Sequence, residues 1–390
     1  MRRVLTIHRP NARYGERSPP RGVVHSAYAP PSSRAASEEV GRGLPVEKIS
    51  VVIPMLNEAQ HVESLAADMD GQTYVGQLEM IVADGGSTDG SAELLRDACL
   101  RRDVALTIID NPHGSVSHAL NLCLKRATGD LIVRLDCHTR YPPEYVERLA
   151  STSAATDAWN VGAVVEVEGE STTERAVACA LDNPFGGANW SRHSTATAPV
   201  EVDTVSFGAF RKIAFERAGT FDEDLIRNQD DEFNLRLRRA GGRVVLDPSI
   251  RVRYRPRGSF RSLARQYYEY GYWKVVVMAK HRRVLSARSL LPISLVASLG
   301  LLVLAAPLSQ LARWLVLAEV LVYASLAIAF GARGIARRRE SWSLLPLVLV
   351  AFPVCHMSYG FGMLRGLIRA APGSAERFRP LEGELNAQKS

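Results

Sequence analysis

Four groups of polar residues have the types and spacing needed to bind a nucleotide or a phosphate. The first includes Pro54, Asn57 and Glu58, which follow an apolar run where the chain turns. The second begins at Asp84, whose carboxylate can accept hydrogen bonds from a base or ribose while the two following glycines allow close backbone approach. In the first group, Pro-x-x-Asn is also an ordinary turn and helix cap. In the second group, capping of the following helix does not explain Asp84.

The third group joins Asp136 to His138, two residues further on. A carboxylate with a second ligand at this spacing can hold a divalent cation against a diphosphate, as oxygen ligands and substrate phosphates hold Mg²⁺ or Mn²⁺. The imidazole of His138 suits Mn²⁺ better than Mg²⁺. The alternative is a histidine that only makes hydrogen bonds.

The fourth group is a run of three acids, Asp230, Asp231 and Glu232, at the start of a predicted helix. Acids in a first turn can simply complement the helix dipole. In a cleft that already contains Asp84 and Asp136, one of them could instead be a general base that deprotonates an acceptor hydroxyl. Successive helical positions point about 100° apart, so we expect only one of Asp230 and Asp231 to face the substrate.

The strands and helices that must position these groups are indicated by β-branched runs that alternate with amphipathic stretches. The pattern predicts strands at 49–53, 78–83, 104–109 and 130–135, and helices that begin near Glu58, Asp89, Ser117 and Pro142. This alternation indicates an α/β fold with a parallel, doubly wound sheet, in which ligands lie beyond the carboxyl ends of the strands. Three of the four ends carry an acid, namely Asp84, Asp110 and Asp136.

Beyond residue 153 the alternation becomes less regular. The sequence predicts a strand at 161–167, a Gly-rich segment at 183–189 and a helix at 231–240. We expect this half to complete the site and to hold a second substrate.

The last third of the chain has the composition of a membrane region. Residues 259–280 mix aromatic side chains with Arg and Lys, which suits the membrane–water boundary. The stretches 289–312, 314–332 and 341–364 are each long enough for the about 20 residues that cross a bilayer, and only the second contains a charge, Glu319. Glu319 could be functional, or it could be a helix-packing or snorkelling residue.

The first two apolar stretches are predicted to form a hairpin that turns near 307–310. Arginines stand before and after it, at Arg282, Arg283, Arg288, Arg333, Arg337, Arg338 and Arg339. The positive-inside rule then places both flanks, and the part of the chain that precedes them, in the cytoplasm of a multi-pass cell-membrane protein. Pro346 and Pro353 interrupt the third stretch, which leaves both a spanning and a re-entrant path open.

Composition excludes several other classes of protein. The net charge of +7 comes from 48 basic and 41 acidic residues, and the basic ones crowd the first fifty positions and the membrane flanks, so nucleic acid is not an expected partner. Five cysteines without zinc-site spacing argue against a disulfide framework or structural zinc. Residues 1–47 lack apolar periodicity and a signal peptide, which predicts a disordered basic arm that is either solvated or in contact with anionic lipid.

The four groups, in this order, resemble those of the inverting family 2 glycosyltransferases with the GT-A fold, over residues from about 50 to 280. Further motifs resemble the exopolysaccharide transferases of the succinoglycan-biosynthesis type; they lie at 183–186, 202–211, 228–236 and 270–274. The resemblance implies a GT-A domain followed by transmembrane helices. It also implies an enzyme that adds a hexose, typically glucose from UDP-glucose, to a polyprenyl-diphosphate-linked acceptor sugar.

The same resemblance implies roles for individual residues. Those expected to bind the nucleotide sugar are Pro54, Asn57, Glu58, Asp84, Ser87 and Asp136. Asp136 would also meet the metal, Mn²⁺ or Mg²⁺, together with His138. Asp230 matches the catalytic base, with Asp231 as the alternative. The residues expected to receive the lipid diphosphate are Arg261, Gln266, Trp273 and Lys274.

Two departures from the broader family pattern bear on this interpretation. Gln229 stands where the family usually has Glu, and His138 stands where it usually has a second Asp, although both are familiar in the succinoglycan-type branch. The Gln-x-x-Arg-Trp motif of processive members does not follow Gln266, so a processive polymerase is not expected. The alternatives are a polyprenyl-phosphate sugar transferase and a non-catalytic, membrane-tethered nucleotide-sugar binder; the acids at 230–232 argue against the latter.

The sequence is thus predicted to have five parts. They are a disordered arm (1–47), a GT-A domain (48–258), an amphipathic interfacial segment (259–288), a transmembrane region (289–370) and a tail (371–390).

Overall fold

The computed structural model describes residues 48–186, 196–284 and 287–370. The predicted arm at 1–47 and tail at 371–390 lie outside the described residues, as does the 187–189 part of the Gly-rich segment. The domain boundaries proposed at these places therefore remain predictions.

Strands and helices alternate through the first part of the fold. In chain order they are β1 (Lys48–Met55), α1 (Val62–Asp70), β2 (Gln77–Asp84), α2 (Ser91–Leu100), β3 (Leu106–Asp110), α3 (Val116–Arg126), β4 (Leu131–Arg134), β5 (Thr139–Arg140) and α4 (Tyr145–Thr156). Strands β1 to β4 pair in parallel in the order β3-β2-β1-β4. The four strands predicted from the sequence are confirmed, and so is their parallel arrangement.

The second part of the domain continues the same sheet with mixed directions. Its elements are β6 (Asn160–Val167), α5 (Thr172–Leu181), β7 (Val200–Glu201), β8 (Ala209–Arg211), α6 (Lys212–Ala218), α7 (Gln229–Arg239) and β9 (Val244–Tyr254). Strand β8 lies antiparallel between β4 and β6, while β6 and β9 pair in parallel. The parallel arrangement predicted for the first four strands does not extend beyond β4, because β8 runs in the opposite direction through the middle of the sheet.

Both faces of the sheet are buried, which explains why its strands read as continuous apolar runs. On one face Val51 and Ile53 of β1 pack with Leu65 of α1. On the other face Val52 packs in a cluster with Phe233 of α7. The sheet edge where the strands end is thus held rigidly between two layers of helices.

Four further helices follow the sheet domain. They are α8 (Phe260–His281), α9 (Leu291–Ala305), α10 (Gln310–Arg338) and α11 (Leu345–Ala370). Among the residues that the structure describes, three segments are long and apolar enough to cross a membrane, namely Ala287–Ala305, Gln310–Arg338 and Trp342–Ala370. The break between α9 and α10 contains the predicted turn at 307–310, and α11 is continuous through Pro353, so the third segment is a single long helix.

These helices dock closely on the sheet domain. Helix α8 crosses α11 at two glycines: a Cβ on Gly271 would lie 2.0 Å from the carbonyl oxygen of Tyr359, and a Cβ on Gly362 would lie 2.0 Å from that of Tyr268. At the other end of the helices, Arg338 donates a hydrogen bond to the carbonyl oxygen of Val167 at 2.7 Å. The sheet domain and the apolar helices therefore share one continuous interface.

Candidate active site

The loops that follow β1 and β2 are tied together by hydrogen bonds. The backbone N–H of Asn57 donates to Ser87 Oγ at 2.9 Å, and the Asn57 side-chain oxygen accepts from the N–H of Thr88 at 2.9 Å. The N–H of Glu58 donates to Ser91 Oγ at 2.8 Å. The structure thus brings the first two predicted groups together, and Asn57 and Ser87 fix the shape of the crevice between them.

Asp84 lies at the end of β2, where its carboxylate organises the loop that follows. It accepts hydrogen bonds from Ser87, at 3.2 and 3.3 Å from the backbone N–H and at 2.5 Å from the hydroxyl. Gly86 has a φ of 85°, a left-handed conformation that favours glycine. The tight turn leaves the half-buried Asp84 at the sheet edge, as the position of the strand end predicts.

A buried arginine lies between the predicted metal-binding acid and the predicted base. Arg134, at the end of β4, forms an ion pair with Asp230 at the start of α7 and lies 3.4 Å from Asp136. Its side chain is only 6% exposed. Burial works to lower the pKa of Arg134, but the charges of Asp230 and Asp136 outweigh it and raise that pKa, so the guanidinium stays charged.

The carboxyl group of Asp230 lies beside two charged groups, Arg134 and Asp136. Burial raises the pKa of the Asp230 carboxyl group above the ordinary value, the Asp136 charge adds to the increase, and the Arg134 charge and hydrogen bond oppose it. A carboxylate with a raised pKa accepts a proton more readily than an ordinary aspartate. The sequence pattern assigned no role to Arg134, although a lone charge inside an apolar strand indicates one.

Asp136 and His138 lie on the loop between β4 and β5. The N–H of Asp136 donates to the Tyr141 hydroxyl at 2.8 Å, which holds the loop. His138 Nδ1 lies 3.1 Å from Glu58 Oε1. Burial works to lower the pKa of His138, but the Glu58 hydrogen bond and the Asp136 charge outweigh it, and the pKa is raised.

This arrangement fits a metal that is completed by substrate. In the described residues, no group of three or more His, Cys, Asp or Glu side chains is placed to hold a metal ion. Asp136 and His138 could supply two ligands, with a diphosphate and water as the others, as is usual for Mg²⁺ in nucleotide sites. Glu58 orients the ring of His138 as carboxylates commonly orient metal-binding histidines, and it leaves Nε2 for a ligand.

Asp231 faces a different space from Asp230. It pairs with Lys274 of α8, and both line a cavity of about 1010 Å³ between the sheet domain and the apolar helices. Burial works to lower the pKa of Lys274, but the Asp231 charge outweighs it and raises the pKa, so the ammonium group stays charged. The two acids therefore point apart, as helix geometry predicts, one towards the sheet edge and one into the cavity.

The cavity is lined by both charged and apolar side chains. Asn228, Asp231 and Lys274 are among the polar ones, and Leu291 and Leu295 of α9 are among the apolar ones. Its walls also include residues of the Gly-rich segment and of the three apolar helices, among them Pro184, Phe185, Gly186, Tyr323, His356 and Tyr359. A polar head group attached to an apolar chain matches this distribution.

The structure separates the four residues that were predicted to bind the lipid diphosphate. Lys274 lines the cavity. Gln266 instead donates hydrogen bonds to Tyr254 and Tyr270, Trp273 is 3% exposed and packs in an apolar cluster, and Arg261 is exposed on the first turn of α8. Arg288, which we predicted only as a membrane-flanking charge, also lines the cavity.

Comparison with known proteins agrees with this geometry. Residues 50–216 match the family model described as glycosyl transferase family 2. Over 320 residues the chain is 31% identical to the succinoglycan biosynthesis protein ExoA of Rhizobium meliloti, an alignment that covers 82% of this chain and 94% of that protein. It is 24% identical over 330 residues, or 82% and 97% of the two chains, to a Methanococcus voltae dolichyl N-acetyl-α-D-glucosaminyl phosphate 3-β-D-2,3-diacetamido-2,3-dideoxy-β-D-glucuronosyltransferase.

A solved structure shows the same fold. The mannosyltransferase PcManGT from Pyrobaculum calidifontis, in complex with GDP-Man and Mn²⁺, aligns with a TM-score of 0.56 at 20% identity and covers 83% of this chain and 92% of its own. The mixed sheet thus has the GT-A fold. More specifically, the chain belongs to glycosyl transferase family 2, as the family model and the likeness to ExoA show.

Proposed function

We propose that this enzyme is a membrane-bound, inverting hexosyltransferase that acts in exopolysaccharide biosynthesis. It would transfer a hexose, with glucose from UDP-glucose as the first candidate, to a polyprenyl-diphosphate-linked acceptor sugar. The observation that carries the proposal is the placement of Asp230 and Asp231 on neighbouring positions of α7, one towards the donor crevice and one towards the cavity beside the apolar helices. The names of ExoA and of the dolichyl-dependent relative support the pathway and the lipid.

The donor would lie across the loops after β1, β2 and β4. Pro54, Asn57, Glu58, Asp84 and Ser87 would surround the uridine part, and Asp136 would lie near the diphosphate. A bound Mn²⁺ or Mg²⁺ would supply positive charge for the departing diphosphate, with Asp136 and His138 as its protein ligands. Arg134 holds Asp230 beside this position, so the base and the leaving group are fixed by one buried network.

The chemical step follows from the position of Asp230. Its carboxylate would accept the proton of the acceptor hydroxyl as that oxygen attacks the anomeric carbon, and the bond to the UDP oxygen would break on the opposite face. One displacement inverts the configuration at that carbon. Lys274 and Arg288 would hold the acceptor phosphates in the cavity, and the lipid chain would pass Leu291 and Leu295 towards the membrane.

The orientation in the membrane is part of the proposal. Arg337 and Arg338, at the end of α10, lie 3.8 and 3.5 Å from Asp182 of the sheet domain, so this end of α10 and the catalytic site are on the same side. The positive-inside rule makes that side cytoplasmic. Cytoplasmic nucleotide sugars would then reach the donor crevice directly.

A substrate panel tests the proposed function. The membrane-bound protein is incubated with several UDP-hexoses and GDP-hexoses, with either a polyprenyl-diphosphate-linked sugar or a polyprenyl monophosphate as acceptor. Transfer from a UDP-hexose to the diphosphate-linked sugar is the expected result. Transfer only to the monophosphate would identify a polyprenyl-phosphate sugar transferase, and nucleotide-sugar binding without transfer would identify a non-catalytic binder.

The metal assignment has its own test. Asp136→Ala should abolish transfer and weaken UDP binding in the presence of Mn²⁺, because the diphosphate loses a ligand of its bridging cation. Isothermal titration with UDP and Mn²⁺ measures the effect. Unchanged UDP affinity in the variant would contradict the assignment of Asp136 to the metal.

A further inference from the structure

A row of arginines runs from the end of β9 to the start of α8, and most of its members are neutralised. Arg251 pairs with Glu166 at 2.6 Å, and Arg253 lies 3.5 Å from Glu168. Arg255 pairs with Glu170 at 3.0 Å and with Glu174 at 2.9 Å. Arg257 differs from these three: its exposed side chain forms no hydrogen bond or ion pair with any of the residues 48–186, 196–284 and 287–370.

The position of Arg257 follows from strand pairing on the donor side. Strands β5 and β9 are antiparallel, with Thr139 opposite Tyr254 and Arg140 opposite Arg253. Because the two strands are antiparallel, the chain that continues after Tyr254 runs back alongside the residues that precede Thr139, in the direction of Asp136. The chain that leaves β9 therefore runs alongside the loop of Asp136 and His138, and the rings of His138 and Tyr254 lie 6.3 Å apart.

The segment between β9 and α8, which contains Arg257, is also close to residues that line the acceptor cavity. The Gln266 side chain donates to the hydroxyl groups of Tyr254 at 3.2 Å and of Tyr270 at 3.0 Å, and Tyr270 lines the cavity. The segment is held at its end by Ser259, which caps α8. The segment that carries Arg257 thus lies between the end of β9, which pairs with the strand after His138, and the start of α8, the helix that carries Tyr270.

Electrostatics agree with this placement. The charge of Arg257 acts to lower the pKa of His138 and that of Tyr270, against the stronger influences that raise each of them. One guanidinium group is therefore within electrostatic reach of both the donor side and the cavity wall. The nearby cation on the donor side, Arg134, is already engaged with two carboxylates.

We propose that Arg257 binds the diphosphate of the bound nucleotide sugar, at the boundary between the donor crevice and the acceptor cavity. The proposal rests on the proposed function, since it names a further ligand-binding residue for that donor. An arginine suits the role because its planar guanidinium donates parallel hydrogen bonds to phosphate oxygens. As UDP departs, the same contact stabilises the charge that develops on the diphosphate.

Titration of the full-length protein in detergent with UDP and with uridine tests this assignment. Arg257→Gln should weaken UDP binding at least about tenfold, the size of a lost charge-assisted hydrogen bond, and leave uridine binding unchanged. Arg257→Lys should restore part of the affinity because it keeps the charge. The matched control is Arg253→Gln, which removes an exposed arginine four residues earlier, within β9, where it faces Glu168.

The loss should persist when Mn²⁺ is removed with a chelator, because the contact is direct. Equal UDP affinity in the wild type and in Arg257→Gln would overturn the inference, as would a loss seen only with metal present or an equal loss in Arg253→Gln. A wild-type protein that binds neither UDP nor GDP would contradict the proposed function itself, and that outcome is distinct from the others.

Discussion

Arg134 places a full positive charge in the interior, and two carboxylates make this possible. A buried ion whose partner is removed costs about 3–5 kcal/mol, since the remaining charge has no compensation. The network of Arg134, Asp136 and Asp230 therefore fixes the geometry of the site and keeps the predicted base beside the predicted metal-binding acid. Its members lie up to 96 positions apart in sequence, between β4 and α7.

Replacing Arg134 should give a pH-dependent loss of stability. Arg134→Met should destabilise the fold by up to about 3–5 kcal/mol at neutral pH, because Asp230 and Asp136 keep partly buried charges without their cation. Removing the cation raises the pKa of Asp230 further, so protonation relieves the penalty as the pH falls through that raised pKa. Thermal unfolding of both proteins at neutral and mildly acidic pH measures the difference. A deficit that grows as the pH falls would contradict this account.

The assignment of the base is tested by exchanging one carboxylate at a time. Asp230→Asn keeps the side-chain volume, and it should reduce turnover by about 10²–10⁴-fold with little change in nucleotide-sugar affinity. Wild-type turnover should fall as the pH drops through the pKa of Asp230, which lies above the ordinary value for aspartate. Steady-state kinetics and a pH–rate profile provide both readouts.

Asp231→Asn is the matched control, because it removes the same charge one position along α7. Its expected effect is a weaker affinity for the acceptor, since Asp231 and Lys274 line the cavity together. Loss of turnover in Asp231→Asn alone would assign the base to Asp231. Normal turnover in both variants, with a stability loss of about 0.3–1 kcal/mol, would instead indicate that the acids only complement the helix dipole.

At the scale of elements, the sequence predicts the first half of the sheet well because each strand is an apolar run and three of the four strand ends carry an acid. The second half is harder to predict for identifiable reasons. Strand β8 has only three residues, too few for a recognisable period. Strand β9 contains Asp247 and Pro248, which read as a turn but form an irregularity in its pairing with β6.

Some residues of the candidate site can also be predicted from the sequence, and others cannot. Asp84 and Asp136 are predictable because parallel strands bring their carboxyl ends to one edge. The contact of Arg134 with Asp230 depends on how α7 packs beside β4, and a local pattern does not contain that information. For Trp273 the local pattern indicates a different environment from the one in the structure. Its amphipathic surroundings in the sequence indicate a membrane-surface residue, whereas tertiary packing buries it with Leu225 and Val277.

The close crossing of α8 and α11 yields a prediction for these elements. Gly271→Ala and Gly362→Ala should each destabilise the protein by about 1–3 kcal/mol or more, because the new methyl group would meet a carbonyl oxygen of the other helix. Gly300→Ala is the control, since a Cβ there has no neighbour within 4 Å. Thermal unfolding in detergent compares them. Equal stability of all three variants would show that the helices do not cross this closely.

At the scale of the whole molecule, the account requires the catalytic site and the end of α10 to face the cytoplasm. A cysteine at Gln310 should react with a membrane-impermeant reagent applied from outside the cell, whereas a cysteine at the exposed Ala336 should be protected. The five native cysteines lie in buried positions and give a low background. The reverse labelling pattern would overturn the cytoplasmic placement.

The cavity lies between the sheet domain and the apolar helices, and residues of α7, α8 and α9 line it together. Asp231 and Lys274 face it, whereas Asp230 faces Arg134 at the end of β4. In the proposed function, a lipid-linked acceptor bound in the cavity would therefore extend its sugar from there towards Asp230.

The most direct test of the central claim is the anomeric configuration of the product. The full-length protein, reconstituted in lipid vesicles, is supplied with an α-linked UDP-hexose and a polyprenyl-diphosphate-linked acceptor sugar, and the new linkage is determined by NMR. A β-linked product that depends on Asp230 is the predicted result, because a single displacement assisted by one base inverts the configuration. An α-linked product, or a β-linked product formed equally well by Asp230→Asn, would contradict the account.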